Sequence, residues 1–214
     1  MSPIRKLIMR LLKIFHLVET NKSRDKKNIY LTFDDGPNLQ FTEKILDLLN
    51  HYGSKATFFL IGLNISLHPE LVDKILAEGH SVGNHSFNHK KFSRLPMKIQ
   101  ASEISQTDML IKERLNYQCL PARKILFRPP QGALTVGLCV YALFNKRKHY
   151  LWSVDSCDYK KIDYDKKLEY LKKLKINNGD IILFHDDNGD TLKLLEYIIP
   201  IWMSQGYSLV ALIE

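Results

Sequence analysis

The sequence predicts a single-domain α/β fold, from the length of the chain and from an alternation of strand and helix patterns. At 214 residues the chain suits one sizeable domain and is short for two. From residue 28 onward, strand-like and helix-like segments alternate to the end of the chain. This alternation is typical of parallel strands joined by crossover helices, arranged either as an open sheet or as a barrel.

The first part of the alternation contains three strands and two helices. The strands are predicted at 28–33, 55–62 and 80–85, and the helices at 41–53 and 68–79. Thr42 stands near the start of the first helix, and Pro69 occupies an early position in the second. Gly53 and Gly79 mark the two helix ends, because glycine is the usual residue there.

The second part of the alternation contains four strands and four helices. The strands are predicted at 124–130, 149–154, 180–184 and 208–212, and the helices at 97–116, 135–145, 162–176 and 191–205. The first of these strands stops at Pro129 and Pro130, since proline restricts the backbone of the residue before it.

Composition indicates an ordinary globular protein in a reducing compartment. Hydrophobic residues make up 45% of the chain and charged residues 25%, which is usual for soluble domains. The cysteines at 119, 139 and 157 are odd in number and form no C-x-x-C pair. They therefore favour free thiols over a disulfide scaffold.

The positive charge is concentrated at the beginning of the chain. The net charge is +8, and residues 1–27 hold eight Lys or Arg against two acidic residues, so they contribute +6 of it. A basic body that would bind nucleic acid is therefore not predicted.

Residues 2–19 have the period of a basic amphipathic helix, with arginine and lysine opposite an apolar face. Arg10 and Lys13 interrupt the apolar run and no small-residue cleavage site follows, so neither a signal peptide nor a membrane span is predicted. Two alternatives remain: the helix packs on the domain, or residues 1–20 contact an anionic membrane surface. We divide the chain into this helix and linker, 1–27, and an α/β domain, 28–214.

Ionisable side chains follow most of the predicted strands. In parallel α/β folds, ligands bind beyond the carboxyl ends of the strands. The side chains that come at these ends in order along the chain are Asp34 and Asp35, His85 and His89, Arg128, Asp155 and Asp158, and His185.

The residue types at these strand ends suit a hydrolytic metal site. Two histidines four residues apart and one carboxylate can bind an ion and leave a position for water. A second carboxylate can accept a proton from that water, whose pKa the ion lowers to ~7. Singly, each feature has a simpler explanation, such as a turn at Asp-Gly-Pro or a chance spacing of histidines. Their coincidence on one predicted face favours the site.

Five motifs, "TFDDGP", "HSFNH", "RPPQG", "SVDSCDY" and "LFH", occur in that order. Together they resemble the polysaccharide deacetylases, the NodB-homology domain of carbohydrate esterase family four, over residues 28–212. The resemblance implies a distorted (β/α) barrel of about seven parallel strands. It also implies removal of N-acetyl groups from amino sugars with one divalent ion, for which zinc is expected.

The resemblance further implies roles for the residues at the strand ends. Asp35, His85 and His89 would be the metal ligands and Asp34 the catalytic base. Arg128 would pair with Asp34 and hold it ionised.

The resemblance assigns the remaining chemistry to the later motifs. His185 would protonate the departing amine, with Asp158 supporting its charged form. The backbone N–H of Gln131, together with the metal, would stabilise the tetrahedral oxyanion.

Several site residues concern the shape of the pocket. Leu183 and Trp152 would line the slot for the acetyl methyl group. Gln131 stands where many members of the family have an aromatic residue, and Tyr159 stands where tryptophan is common. Both departures change the pocket wall, so they bear on the substrate and leave the chemistry intact.

The leading hypothesis is a metal-dependent hydrolase that deacetylates an N-acetylhexosamine unit of a glycan or glycan precursor. The alternatives are deacylation of a non-sugar amide or an acetyl ester, a silent carbohydrate-binding relative, and a membrane-surface module. No carbohydrate-binding module or wall anchor is recognisable, so we expect a cytoplasmic bacterial enzyme. Attachment to the inner face of the membrane is one of the two alternatives for residues 1–20.

Overall fold

The computed structural model describes residues 17–121 and 124–213, which form nine strands and seven α-helices. The strands are β1 Val18–Glu19, β2 Asn28–Asp34, β3 Thr57–Leu60, β4 Ser81–Asn84, β5 Leu126–Phe127, β6 His149–Tyr150, β7 Val154–Asp155, β8 Ile181–His185 and β9 Ser208–Leu209. The helices are α1 Thr42–His51, α2 Gly62–Leu67, α3 Pro69–Ala77, α4 Met97–Tyr117, α5 Val136–Asn145, α6 Tyr164–Lys173 and α7 Gly189–Ser204.

Seven of these strands form one sheet with β2 near its centre. The order is β5-β4-β3-β2-β8-β7, and β9 pairs with the start of β2. Every pairing in this sheet is parallel, as crossover helices between strands require. The strands β1 and β6 form a separate parallel pair.

The gap between the two edge strands, β5 and β7, is filled by β6. This strand contacts β5 without a ladder between them, and the chain then passes directly into β7. Arg128, just after β5, donates from Nε to the carbonyl of Tyr150 at 3.0 Å and from Nη2 to that of Leu151 at 3.2 Å. The sheet therefore closes into a distorted (β/α) barrel, and the predicted fold class is confirmed.

The core lies between the sheet and the surrounding helices. Phe33 of β2 stacks on Phe58 of β3 and contacts Phe184 of β8, and all three rings are fully buried. On the helix side, α7 contributes Leu195 and Ile198 to the same cluster. Burying each large apolar side chain stabilises the fold by ~1.5–3 kcal/mol. This core fixes the strand ends that carry the site.

Two elements of the sequence prediction are corrected by the structure. The single strand predicted at 149–154 is two short strands, because 149–150 pair with β1 and 154–155 pair with β8. The two-turn helix α2 was missed, since its six residues are too few to show a helical period.

The predicted helix at the beginning of the chain is wrong at its end, where Val18 and Glu19 are a strand paired with β6. Residues 2–16 of that helix, and with them most of the proposed membrane-contacting segment, fall outside the described residues. Asn21 also forms a bridge with Asp180. The domain boundary at residue 28 stays a prediction.

Within the described ranges, no helix combines the length and apolarity that a membrane span requires.

Candidate active site

Strand register places the site residues together at one end of the barrel. Asp34 is opposite His185 across β2 and β8, and opposite Phe59 across β2 and β3. On the next strand, Asn84 ends β4 opposite Leu60, so the histidine motif that begins at residue 85 follows at the same level. The site therefore lies at the carboxyl ends of the strands, as predicted.

Asp35, His85 and His89 form a compact cluster. The Oδ1 atom of Asp35 lies 3.5 Å from Nε2 of His85 and 3.3 Å from Nε2 of His89. One possible ligand atom from each residue lies within 4.8 Å of the others, so a single ion can be reached by all three. This is the set that the motifs predicted.

The donor atoms of this cluster fit a divalent cation. The buried Oδ1 atom of Asp35 accepts no hydrogen bond from the described residues. Nδ1 of His85 lies 2.8 Å from the carbonyl of Arg128, and because a carbonyl only accepts, Nδ1 carries the proton and Nε2 a lone pair. Burial lowers the pKa of His89, which favours the neutral imidazole that binds metals.

The loop that carries the two histidines is fixed by buried polar side chains. Ser86 Oγ accepts from the backbone N–H of His89 at 3.1 Å, and Asn84 Oδ1 accepts from that of Ser86 at 2.8 Å. Glu103 of α4 accepts from the backbone and side chain of Asn88 at 2.7 and 2.9 Å. These bonds hold His89 at a φ of 51°, a left-handed conformation uncommon outside glycine and frequent at functional sites.

Asp34 is paired with a fully buried arginine. Nη1 of Arg128 donates to Asp34 Oδ1 at 2.7 Å and to Thr32 Oγ1 at 2.8 Å. The guanidinium lies 4.1 Å from the ring centre of Phe59 and 5.6 Å from that of Trp152. Burial lowers the pKa of Arg128 while the carboxylate of Asp34 opposes the shift, so the pair is held as a buried ion pair.

His185 and Asp158 form a second charged pair. Nδ1 of His185 lies 2.9 Å from Asp158 Oδ1, and the backbone N–H of His185 donates to Oδ2 at 2.8 Å. Burial acts against the charge of both groups, but their mutual hydrogen bond prevails. It raises the pKa of His185 to about 9 and, with the hydroxyl of Thr191, lowers that of Asp158.

A cleft of about 400 Å³ contains these groups. Nine of the eleven predicted site residues line it: Asp34, Asp35, His85, His89, Gln131, Trp152, Tyr159, Leu183 and His185. The other two, Arg128 and Asp158, lie behind Asp34 and His185 as their hydrogen-bond partners. The structure thus brings all eleven together, while their individual roles stay predictions.

Gly132 allows Trp152 to form part of the cleft wall. A Cβ atom at this glycine, whose φ is +59°, would lie 2.8 Å from Cη2 of Trp152. The neighbouring Gln131 also has a left-handed backbone, with φ of 56°. The "RPPQG" motif therefore shapes the wall through its backbone.

Sequence reasoning missed two carboxylates that follow His185. Asp187 lines the cleft, and Asp186 is fully buried, accepts from Thr42 Oγ1 at 2.7 Å and leaves no room for a side chain on Gly36. Burial and the nearby charge of Asp187 raise the pKa of Asp186 to about 8 against the effect of Thr42. The signal that could have revealed these two carboxylates is their position directly after the strand that ends at His185.

Asp155, which the sequence analysis grouped with the site, instead caps a turn by accepting a hydrogen bond from the backbone N–H of Cys157.

Comparison with known proteins identifies the family. Residues 21–143 match the family model described as polysaccharide deacetylase. The chain belongs to this family. It is therefore a carbohydrate deacetylase, and the predicted identity is confirmed.

Two named proteins are similar to this deacetylase, one compared by sequence and one by structure. A curated peptidoglycan-N-acetylglucosamine deacetylase from Bacillus cereus is 33% identical over 89% of this chain and 88% of its own length. The solved peptidoglycan N-acetylglucosamine deacetylase Bc1960, in complex with 4-naphthalen-1-yl-N-oxidanyl-benzamide, has a TM-score of 0.84 and 29% identity over 94% of this chain and 93% of that one.

The family also includes a protein without the activity. The solved structure of BA3943 from Bacillus anthracis, described as a family pseudoenzyme, has a TM-score of 0.79 and 26% identity over 91% of this chain and 67% of that one. Fold alone therefore does not establish catalysis, and the composition of the cleft decides what can be proposed.

Proposed function

We propose that this deacetylase removes the N-acetyl group from an N-acetylglucosamine unit of a glycan by attack of water, with one bound zinc ion. The observation that carries the proposal is the combination in one cleft of three convergent metal-ligating atoms, a carboxylate beside them and a charged histidine. The names of the relatives support the sugar, and the histidine–carboxylate ligand set supports zinc.

The metal cluster would supply Lewis acidity. A zinc ion held by Asp35, His85 and His89 would lower the pKa of a water molecule and polarise the acetyl carbonyl. The protein's part is to keep the ligand atoms facing one point. The hydrogen bond from His85 Nδ1 to the carbonyl of Arg128 and the Ser86 contact with the His89 backbone serve this purpose.

Asp34 would act as the general base. Arg128 occupies its Oδ1 atom, and the other oxygen, Oδ2, lies 3.5 Å from Nε2 of His85 and so beside the metal cluster. Oδ2 is then available to take a proton from the attacking water as the new C–O bond forms. Arg128 keeps the carboxylate in one orientation during this transfer.

His185 would act as the general acid. Cleavage of the amide C–N bond leaves an amine nitrogen that must gain a proton, and the imidazolium of His185 can donate it. Asp158 holds the ring through Nδ1, which directs Nε2 as the donating atom. Acetic acid and the free amine leave, and the acid releases its proton to solvent as acetate. A proton then returns from Asp34 to His185 through solvent, so the cycle balances.

The cleft walls would select the acetyl group. Leu183 and Trp152 provide apolar surface for its methyl, and Tyr159 lines the same cleft with its ring 5.1 Å from that of His185, centre to centre. The backbone N–H of Gln131 would donate to the oxyanion that forms from the acetyl carbonyl.

The His185–Asp158 pair favours an amide over an ester as the substrate. An alkoxide leaves an ester carbon without full protonation, whereas an amine requires it because its anion is far more basic. A histidine whose pKa is raised to about 9 stays protonated and can supply the proton that the amine requires. Deacylation of an acetyl ester on the same site is therefore the secondary candidate.

Acetate release tests the proposed function. We expect the zinc-loaded protein to release acetate and form free amines from a chitooligosaccharide, and to do so faster than it hydrolyses a matched O-acetylated sugar. Removal of the metal with a chelator should stop the reaction and added zinc should restore it. Turnover of the ester alone, or full turnover after metal removal, would contradict the proposal.

The pH profile tests the role of His185. Because its pKa is raised, His185 is protonated below about pH 9 and loses its proton above it, so kcat/KM should fall on the alkaline side. A bound cation lowers the pKa of His185, so the alkaline limb of the profile should lie at or below about pH 9. In His185→Gln the limb should disappear, and an unchanged limb on an amide substrate would exclude His185 as the acid.

A further inference from the structure

Helix α5 presents an apolar face to solvent. The side chains of Val136, Leu143 and Phe144 are 67, 49 and 85% exposed, and their spacing of seven and eight residues places them on one side of the helix. Met97, at the start of α4, extends this face, because its Cγ lies 3.3 Å from the position of a Cβ atom on Gly137 and its own side chain is half exposed. Contiguous exposed apolar side chains of this kind mark an interaction surface.

A basic groove lies beside the same helix. Its volume is about 610 Å³, and Tyr141 and Asn145 of α5 form part of its wall. The charged residues that line it are Asp108, Lys112, Lys124, Lys146 and Arg147. The groove therefore carries four cations and one carboxylate, and α5 connects it to the apolar face.

The one carboxylate of the groove is already paired. Asp108 accepts a hydrogen bond from Nη2 of Arg147 at 2.9 Å. The other three cations, Lys112, Lys124 and Lys146, are exposed, and no carboxylate of the described residues forms an ion pair with them. Three ammonium groups are therefore left for an anionic partner.

The basic groove lies at the end of the barrel opposite the catalytic cleft. Lys124 comes shortly before β5 and Arg147 shortly before β6, so both stand at the amino ends of their strands. The candidate active site is at the carboxyl ends, where Asp34 and His185 lie opposite each other. A flat partner bound at the groove therefore leaves the cleft open to substrate.

We propose that the apolar face of α5 and the basic groove together bind the surface of an anionic lipid membrane. Leu143 and Phe144 would enter the boundary between the head groups and the acyl chains, as the apolar side of an interfacial helix does. The three lysines would meet the negatively charged head groups. The combination of exposed apolar side chains with unpaired cations favours a membrane over a soluble polyanion, which offers no hydrocarbon to cover Phe144.

The residues that precede the described part of the chain do not suit the groove. The carbonyl of Leu17 accepts from the backbone N–H of His149 at 2.8 Å, so the chain reaches this end of the barrel two residues from Arg147. The sixteen residues before Leu17 contain four Lys or Arg and no Asp or Glu. Because like charges repel, this segment is disfavoured as the partner of the groove, and an anionic surface attracts both.

Co-sedimentation of the full chain with lipid vesicles tests the proposal. We expect tight binding to vesicles of phosphatidylglycerol and phosphatidylcholine in equal parts, and much weaker binding to pure phosphatidylcholine. Each lysine near an anionic surface raises the affinity about fivefold, so Lys112→Gln/Lys124→Gln/Lys146→Gln should weaken binding by about 100-fold. Leu143→Gln/Phe144→Gln removes the apolar contact and should weaken it by about tenfold or more.

Two matched variants control for charge and for apolarity. Lys44→Gln/Lys161→Gln/Lys172→Gln removes three exposed lysines outside the basic groove. Leu39→Gln/Leu67→Gln removes two leucines that are each 61% exposed and lie outside α5. Both variants should bind the anionic vesicles as wild type does.

The single variant Phe144→Gln guards against a loss of binding that is caused by misfolding. Its side chain is 85% exposed, so the replacement should leave the Tm at the wild-type value and still weaken vesicle binding. A drop in Tm of several degrees would show instead that another part of the chain covers Phe144, and would overturn the proposal.

The remaining outcomes separate the membrane from other partners. Full vesicle binding in both α5 and groove variants would assign the membrane contact elsewhere, for example to residues 1–20, and would reject this surface. Equal binding to neutral and anionic vesicles would reject the role of the lysines. A dimer that forms without lipid and that Phe144→Gln disperses would make the face a contact between copies of the chain, and would also overturn the proposal.

Discussion

Asp34→Asn is expected to lower kcat by ~10²–10⁴-fold while leaving the bound metal in place. Asparagine keeps the shape of aspartate, and its oxygen can still accept the hydrogen bond from the buried Arg128. What it loses is the ability to take a proton from the attacking water. Because the pairing with Arg128 is retained in part, the fold should survive where Asp34→Ala would leave a buried charge without a partner.

The measurement is kcat on a chitooligosaccharide, together with the zinc content of the same sample. Asp47→Asn, an identical change at an exposed position on α1, is the control and should behave as wild type. If Asp34→Asn kept the wild-type rate with full metal content, another group would have to be the base. If it lost its metal, Asp34 would belong to the ligand set instead.

The double variant His85→Ala/His89→Ala is expected to lose its metal and all measurable turnover. Two of the three atoms that converge on the site are removed, and the remaining Asp35 carboxylate offers a single ligand. Changes in residues that only support metal ligands typically cost 10–100-fold in affinity, so loss of two ligands should exceed this range. Wild type should bind one ion per chain and the variant none.

Thermal unfolding gives a second readout that does not depend on catalysis. A ligand that binds only the folded state stabilises it by ~2.7 kcal/mol at 100 times its dissociation constant, so zinc should raise the Tm of wild type and not that of the variant. His51→Ala/His68→Ala, which removes two histidines outside the cleft, should respond to zinc as wild type does. The single variant His89→Ala is the control for misfolding, because it keeps the hydrogen bond between His85 and the Arg128 carbonyl. Full metal occupancy in the double variant would refute the site.

Much of the fold was predictable because its signals are local. Strand and helix periods identified β2, β8 and the long helix α4 to within a few residues. The errors occurred where pairing partners decide the structure. Residues 149–154 read as one strand, yet Tyr150 pairs with β1 and Val154 with β8, and no local pattern specifies which distant strand a residue will meet.

The candidate site was predictable for a different reason. Parallel α/β folds bring the carboxyl ends of their strands together, so residues that follow strands become neighbours whatever their separation in sequence. This rule, with the motifs, predicted that Asp34 and His185 would meet, and they lie opposite each other on β2 and β8. The same rule wrongly included Asp155, whose side chain turns to the N–H of Cys157.

The sequence by itself predicted the family and, through its motifs, the barrel and the eleven residues that meet at the candidate site, because short motifs and strand periods depend on neighbouring residues. Only the tertiary structure decided which nitrogen of His85 faces Asp35, how Arg128 joins β5 to β6, and that Asp187 joins the lining of the cleft. These features depend on contacts between segments far apart in the chain. Such contacts are chosen by packing and by the pairing of buried polar groups, which a linear pattern does not record.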